Sequence, residues 1–278
     1  MSEHRGIGRT IAALSRPVVG SMALAVGGLV VFRGVAPFEV LRKSNDVVGN
    51  YLQTLGSIYA VLLAFVMFVV WTQFNDARAN VDREANELMD LFRTSRGLPE
   101  PTRGQVQASA VAYAMQVVGR EWDAMACGGR LDSGPGTLEA MWESVHAAEP
   151  NEEPERSLYR EVLKRLDDLS DARSSRLTST TTSIPTALRI LLYTGAVSTV
   201  GSMYLFAVES LAVHAVMTAA LAGAISHVLY VIEDLDNCFD GHWQVPRTPF
   251  ERVRRQMAAA APVQPVAVAP SGQVAGGA

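Results

Sequence analysis

The chain has 278 residues, of which 49% are hydrophobic, and a formal net charge of -4. This charge gives no indication of a nucleic-acid partner, and the two cysteines, Cys127 and Cys238, are too far apart in sequence to predict a zinc site or a disulfide framework. The hydrophobic residues are concentrated in four blocks separated by charged stretches. That distribution is typical of a membrane protein and excludes an ordinary soluble domain.

The first block, Pro17–Phe32, contains no charged residue and lies between Arg16 and Arg33. It is short, and a cleaved signal peptide is the alternative to a membrane helix, because arginines precede the block and small residues follow it. Pro37 directly follows the candidate cleavage site, which argues against cleavage. We therefore predict a retained helix.

The second block, Leu52–Phe74, contains no acid or base and is long enough to cross a hydrocarbon core of roughly 30 Å as a tilted helix. Apolar residues continue at helical spacing from Phe74 to Phe92, with charged residues on the other faces. No glycine or proline interrupts this stretch. The pattern predicts one rod over Leu52–Phe92, which begins in the membrane and continues into a helical domain of residues 75–185.

Three more helices are predicted in this domain. The first extends from Thr102 to about Ala126, the second begins with Thr137 as its N-cap, and the third follows Pro154. The Ser/Thr-rich residues 174–183 are the predicted hinge into the membrane.

The third and fourth blocks, Ile190–Val208 and Leu211–Ile232, are separated by only Glu209 and Ser210. They predict a tight hairpin within residues 186–233, and their many small residues favour close helix packing in lipid. A segment of residues 234–257 follows. The stretch from Ala258 onward, residues 258–278, is rich in Ala, Pro, Gly and Val and is predicted to be disordered.

Four spans with one long loop place both termini and residues 75–185 on one face of the membrane. Twelve arginines near the spans lie on that face, whereas the loop between the first two spans carries only Arg33, Arg42 and Lys43. The positive-inside rule therefore puts both termini and the helical domain in the cytoplasm. The predicted fold class is all-α, a four-helix transmembrane protein.

No catalytic motif is present and the five histidines share no metal-ligand spacing, so we predict that the protein is not an enzyme. His214 and His227 lie in the fourth block, where an ionisable side chain is costly and often functional. The alternative is that each imidazole bonds a backbone carbonyl or a small polar side chain of a neighbouring helix.

Glu233, Asp234 and Asp236 follow the fourth block directly. Carboxylates of this kind could hold calcium, although their spacing misses the EF-hand pattern. The alternative is a solvated helix end whose acids pair with Arg78 or Arg83. Calcium is the only cofactor that the sequence indicates.

Two stretches carry a resemblance to a known family. Residues 56–99 (GSIYAVLLAFVMFVVWTQFNDARANVDREANELMDLFRTSRGLP), and residues 230–241 (YVIEDLDNCFDG) followed by 249–253 (PFERV), resemble the bacterial bestrophin-like membrane proteins. The resemblance extends from the first span to about Arg255. Bestrophins are pentameric anion channels with four membrane helices and cytoplasmic termini. Their second helix lines the pore. In animal members, an acidic cluster after the fourth helix helps to bind calcium.

The resemblance implies that Leu52–Phe74 is the pore helix of a homo-oligomer, a pentamer, in the bacterial inner membrane. The pore-lining candidates are Gly56, Tyr59, Leu62, Phe65, Phe68 and Val69, and the basic candidates at the pore mouth are Arg33, Arg42 and Lys43. The chain lacks both the contiguous acids and the pore-neck motif of the animal channels. We predict a channel for an inorganic anion; the alternative is a membrane-anchored sensor or scaffold whose helical domain binds a protein partner.

Overall fold

The computed structural model describes residues 3–36, 38–127, 136–148, 150 and 152–260. These residues form α-helices and no strand, which confirms the predicted fold class. The helices are α1 (Glu3–Val35), α2 (Phe38–Lys43), α3 (Asn45–Thr94), α4 (Thr102–Gln116), α5 (Trp122–Ala126), α6 (Thr137–His146), α7 (Glu153–Thr181), α8 (Thr186–Met203), α9 (Leu211–Asp236) and α10 (Thr248–Ala260). A 3₁₀ turn, Ser95–Gly97, follows α3, and a π-helical turn, Val117–Glu121, joins α4 to α5.

Three of the described helices contain segments long and apolar enough to cross a membrane, namely Ser15–Val35 in α1, Asn45–Gly97 in α3 with the turn that follows, and Leu211–Asp236, which is α9. The predicted third span corresponds to α8, which has 18 residues and is not among these three. Pro17 lies inside α1, where it removes one backbone hydrogen bond. Membrane helices tolerate such a break because neighbouring groups satisfy the freed carbonyl.

The longest helix is α3, with 50 residues and a length of about 75 Å. It includes the whole predicted rod, but it begins at Asn45, seven residues before Leu52. Asn45 explains the early start, because its side chain donates to the carbonyl of Ala207 (3.2 Å) and accepts from the amide of Ala207 (3.0 Å). This pair fixes the first turn of α3 to the loop that precedes α9.

The connection between α8 and α9 is longer than predicted. α8 ends at Met203, and residues 204–210 form the loop, whereas the sequence predicted helix as far as Val208. Directly after the end of α8, the hydroxyl of Tyr204 donates to the carbonyl of Ala25 on α1 at 2.8 Å and ties this loop to α1. Ser210 then caps α9 by accepting a hydrogen bond from the amide of Val213 at 3.4 Å.

Beyond Phe74, α3 forms the centre of the helical domain. It packs mainly against α7, and also against α4 and α10. Its buried face includes Ala77, Val81, Ala85, Leu88 and Phe92, which confirms the predicted apolar positions.

Three details of the helix ends differ from the prediction. The N-cap of α6 is Gly136, and Thr137 is its first helical residue. α7 continues through most of the predicted hinge to Thr181, and hydroxyl groups there, such as that of Thr178, donate to the carbonyl one turn earlier (2.9 Å to Ser174). α10 includes residues 258–260, where the disordered tail was predicted to begin, and residues 261–278 of that tail lie outside the described residues.

Candidate functional site

Over the length of the predicted span, one face of α3 has no partner among the residues that the structure describes. Ile58, Val61, Phe65 and Phe68 recur every three or four residues and are between 60% and 71% exposed. The opposite face is buried against α8 and α9. An exposed apolar stripe of this length marks a surface that contacts lipid, another subunit or the interior of a pore.

The predicted pore-lining residues are divided between these two faces. Phe65 and Phe68 lie on the open face, and Gly56 and Val69 are partly exposed. No atom lies within 4 Å of a Cβ placed on Gly56, so there is open space beside it.

Tyr59 and Leu62 lie on the inner face instead, where Leu62 packs against the core. Tyr59 is buried, its hydroxyl donates to the carbonyl of Leu192 at 2.9 Å, and its ring lies against Gly195. These contacts fix α8 to α3. The positions of Tyr59 and Leu62 therefore favour packing within the subunit over pore lining.

The three basic candidates lie near the N-terminal end of α3. Arg42 and Lys43 are exposed in the last turn of α2, which directly precedes α3. Arg33, in the last turn of α1, donates a hydrogen bond to the carbonyl of Glu209 at 2.9 Å. The structure thus brings all three to one end of the long helix, and their place at a pore mouth stays a prediction.

The acidic candidates at the end of α9 have protein partners. Asp236 is buried and accepts hydrogen bonds from Arg189 (2.7 Å) and from the amide of Ile184 (2.8 Å). Glu233 accepts from the hydroxyl of Tyr193 at 3.1 Å and lies 3.4 Å from Arg189.

Asp234 accepts hydrogen bonds from the amides of His242 and Trp243, both at 3.0 Å. The turn that presents these amides contains Gly241 at a φ of +90°, where a Cβ would collide with Asp234. Among the described residues, no group of three or more acids, histidines or cysteines could hold a metal ion. The arrangement supports ion pairing over calcium binding, with Arg189 as the partner where Arg78 or Arg83 was predicted.

The two intramembrane histidines differ in their surroundings. His214 is buried and its Nε2 donates to the carbonyl of Met203 at 2.8 Å, in agreement with the packing alternative. His227 is exposed on the surface of α9. A functional role for His227 stays a prediction.

A network of buried charges, which the sequence analysis did not identify, lies in the helical domain. It consists of Glu84 on α3, Tyr113 on α4, Glu121 on the π-helical turn, and Arg173 and Arg176 on α7. Arg176 donates to both carboxylates, at 2.5 Å to Glu84 Oε2 and 2.7 Å to Glu121 Oε2. Two carboxylates and two guanidinium groups balance, so the network carries no net charge.

The surroundings shift the pKa values of the network residues. Burial raises the pKa of Glu121, but the hydrogen bond from Arg173 and the charge of Arg176 outweigh it, so the net pKa is lowered. Burial lowers the pKa of Arg176, but the charge and hydrogen bonds of Glu84 outweigh that effect, so its net pKa is raised. Both residues are therefore ionised at neutral pH, which is the condition for a stable buried pair.

A comparison with known families shows the family to which the chain belongs. Residues 19–250 match the family model of the bestrophin-like domain, which is most of the chain. The chain belongs to the bestrophin-like family. No curated protein sequence matches it significantly.

Solved structures of bestrophin homologues have the same fold. One variant of the homologue from Klebsiella pneumoniae superimposes with a TM-score of 0.66 at 13% identity, covering 87% of this chain and 98% of that chain. A second structure of the Klebsiella pneumoniae homologue, phased with zinc, gives a TM-score of 0.65 at 14% identity and covers 87% and 97% of the two chains. The resemblance predicted from residues 56–99 and 230–253 is thereby confirmed, and this bestrophin-like chain is a membrane protein.

Proposed function

We propose that this bestrophin-like protein forms a homo-oligomeric channel, a pentamer, that conducts inorganic anions through a central pore lined by α3. The observation that carries the proposal is the open apolar face of α3, on which Ile58, Val61, Phe65 and Phe68 are exposed in the described part of the subunit. In a closed ring, symmetry turns the same face of every subunit toward the axis. The family to which the chain belongs supports this arrangement.

Phe65 and Phe68 would form the narrow part of this pore. They are three residues apart, so in a ring they produce two adjacent layers of phenyl groups on one face of α3. Apolar constrictions of this kind gate ion flow by excluding water. We place the gate there.

The preference for anions rests on the charge near the N-terminal end of α3. Residues 33–51 contain three basic residues, Arg33, Arg42 and Lys43, and two acidic ones, Glu39 and Asp46, which gives a net charge of 3 − 2 = +1. The N-terminus of a helix adds a positive partial charge at the same end. Repeated around a ring, this small excess favours anions at the pore entrance.

The orientation follows from the chain direction. In this arrangement one side of the membrane has the start of α1, the part of α3 beyond the membrane and the end of α9. The arginines are concentrated on that side. The positive-inside rule therefore supports a cytoplasmic location for both termini and the helical domain, in a bacterial inner membrane.

Reconstitution tests the proposal. Purified protein in liposomes under a chloride gradient should carry a current whose reversal potential follows the chloride equilibrium potential, and its detergent-solubilised mass should correspond to five subunits. A mass of one or two subunits, with no current at any voltage, pH or calcium level, would instead support the membrane-anchored scaffold.

A further inference from the structure

A groove of about 590 Å³ lies between the membrane segments of α1, α8 and α9. Small residues line it, among them Ala25 on α1, Ala196 and Gly201 on α8, and Ala222 on α9. Small side chains leave a furrow between the helices, and its walls are mainly apolar. Its volume is within the range of roughly 300–1,000 Å³ that is usual for small-molecule sites.

The groove has the length of one leaflet of a bilayer. Along α8 its lining extends from Tyr193 to Tyr204, a rise of about 16 Å at 1.5 Å per residue. Tyr204 closes one end by donating its hydrogen bond to the carbonyl of Ala25. Half of a hydrocarbon core of roughly 30 Å is about 15 Å, so the groove can accommodate one lipid chain along its length.

The other end of the groove is polar, and Glu233 is the charged residue among those that line it. Glu233 and Tyr193 line this end, and the tyrosine hydroxyl donates to Glu233 Oε1 at 3.1 Å. Arg189 lies 3.4 Å from Glu233 but only 2.7 Å from Asp236. One guanidinium group thus serves two carboxylates, which leaves one negative charge at a partly exposed position.

We propose that this groove binds an acyl chain of a phospholipid whose head group carries a primary ammonium, and that the ammonium pairs with Glu233. A primary ammonium supplies both the missing positive charge and the N–H donors that the carboxylate accepts. A choline head group has no N–H donor, and an anionic head group is repelled by Glu233. Arg16, which is exposed and adjacent to the groove-lining Pro17, provides a positive charge for the lipid phosphate at the same end.

The chain offers a matched pair of variants for testing the groove. A Cβ placed on Gly201 meets no atom within 4 Å, so Gly201→Leu extends its side chain from an open position into the groove. Gly27 on α1 is exposed, has no atom within 4 Å of an added Cβ and does not line the groove, so Gly27→Leu is the control. Glu233→Gln keeps an acceptor for Tyr193 but removes the charge.

Native mass spectrometry tests the proposal. The full chain is exposed to equal amounts of three phospholipids with identical acyl chains, namely phosphatidylethanolamine, phosphatidylcholine and phosphatidylglycerol. We expect wild type and Gly27→Leu to retain phosphatidylethanolamine roughly tenfold over the other two lipids, since a charge-assisted hydrogen bond contributes that much. Gly201→Leu should lose the bound lipid, and Glu233→Gln should bind all three lipids equally.

Three results would overturn the proposal. Equal lipid retention by Gly201→Leu and wild type would show that the lipid binds elsewhere. A wild-type preference for phosphatidylglycerol or phosphatidylcholine would show that Glu233 does not select the head group. A change in subunit number in Gly201→Leu, without a change in lipid count, would show that a second copy of the chain occupies the groove.

Discussion

Arg176 on α7 donates two hydrogen bonds to Glu84 on α3, from Nε at 2.5 Å and from one terminal nitrogen at 3.1 Å, and both side chains are fully buried. Glu84 is on the same continuous helix as the proposed pore residues. The pair therefore joins α7 of the helical domain directly to the helix that carries the proposed pore residues. Phe250 on α10 lies against the same guanidinium, with its ring centroid 5.9 Å from Arg176 Cζ.

Breaking this pair should destabilise the helical domain strongly. Arg176→Met leaves Glu84 as a buried carboxylate that has lost its main cation, and removing one partner of a buried pair costs about 3–5 kcal/mol. The measurement is denaturant unfolding in detergent, followed by tryptophan fluorescence.

Arg165→Met provides the matched control on the same helix. Arg165 is partly exposed and pairs with Glu161 and Glu87, so its loss should cost less than about 1 kcal/mol. Equal stability of Arg176→Met and wild type would contradict the role assigned to the buried network.

Stability should fall in acid because of Glu121. Its pKa in the folded protein is lowered from 4.5, mainly by Arg173 and Arg176 against the effect of burial. A lowered folded-state pKa contributes stability that is fully present above the unfolded pKa and is lost as the pH falls through the folded pKa.

We therefore expect the unfolding free energy to decrease as the pH falls below 4.5, and to decrease less steeply in Glu121→Gln. Glu121→Gln is less stable than wild type at neutral pH, since it weakens a buried pair. The pH slope is thus the informative quantity. Parallel slopes for the two proteins would exclude Glu121 as the titrating group.

The exposed basic residues of α2 should influence ion selectivity. Replacing both Arg42 and Lys43 by Gln removes two positive charges per subunit from the proposed pore entrance and should shift the reversal potential away from the chloride equilibrium potential. Arg103→Gln is the control, because Arg103 is partly exposed on α4 and pairs only with Glu100 among the charged residues described. An identical shift in both variants would mean that α2 does not line the entrance.

Calcium should not stabilise the end of α9. Asp236 already neutralises Arg189 and caps the amide of Ile184, and Asp234 holds the turn at Gly241. We expect Asp236→Asn to lower the melting temperature, and excess calcium or a chelator to leave that of the wild type unchanged. A rise in the melting temperature with calcium, absent in Asp236→Asn, would restore these acids as metal ligands.

Hydrophobic periodicity was enough to predict the main architecture. The uninterrupted apolar spacing from Leu52 to Phe92 predicts the long helix, and α3 contains the entire stretch. The end of α8 could not be predicted in this way. Residues 205–208 are all apolar, and the loop that they form is held by a hydrogen bond from Tyr204 to Ala25, which is remote in sequence.

The buried charges required a different reading of the same pattern. Glu84 follows Val81 by three residues and precedes Leu88 by four, so it lies on the buried face of α3. On α7, Arg176 follows Leu169 by seven residues and has the same relation to the core. A charged residue at an apolar position predicts a buried charge, but its partner is set by the tertiary packing of separate helices.

Accessibility of α3 to a thiol reagent during conduction tests the central claim most directly. In a Cys127→Ser background, which removes the exposed native thiol, a charged methanethiosulfonate reagent should inhibit the current of Phe65→Cys, since residue 65 lies on the open face. The same reagent should not affect Val66→Cys, because residue 66 is fully buried within the subunit. A current that persists in Phe65→Cys, or inhibition confined to Val66→Cys, would contradict a pore lined by this face of α3.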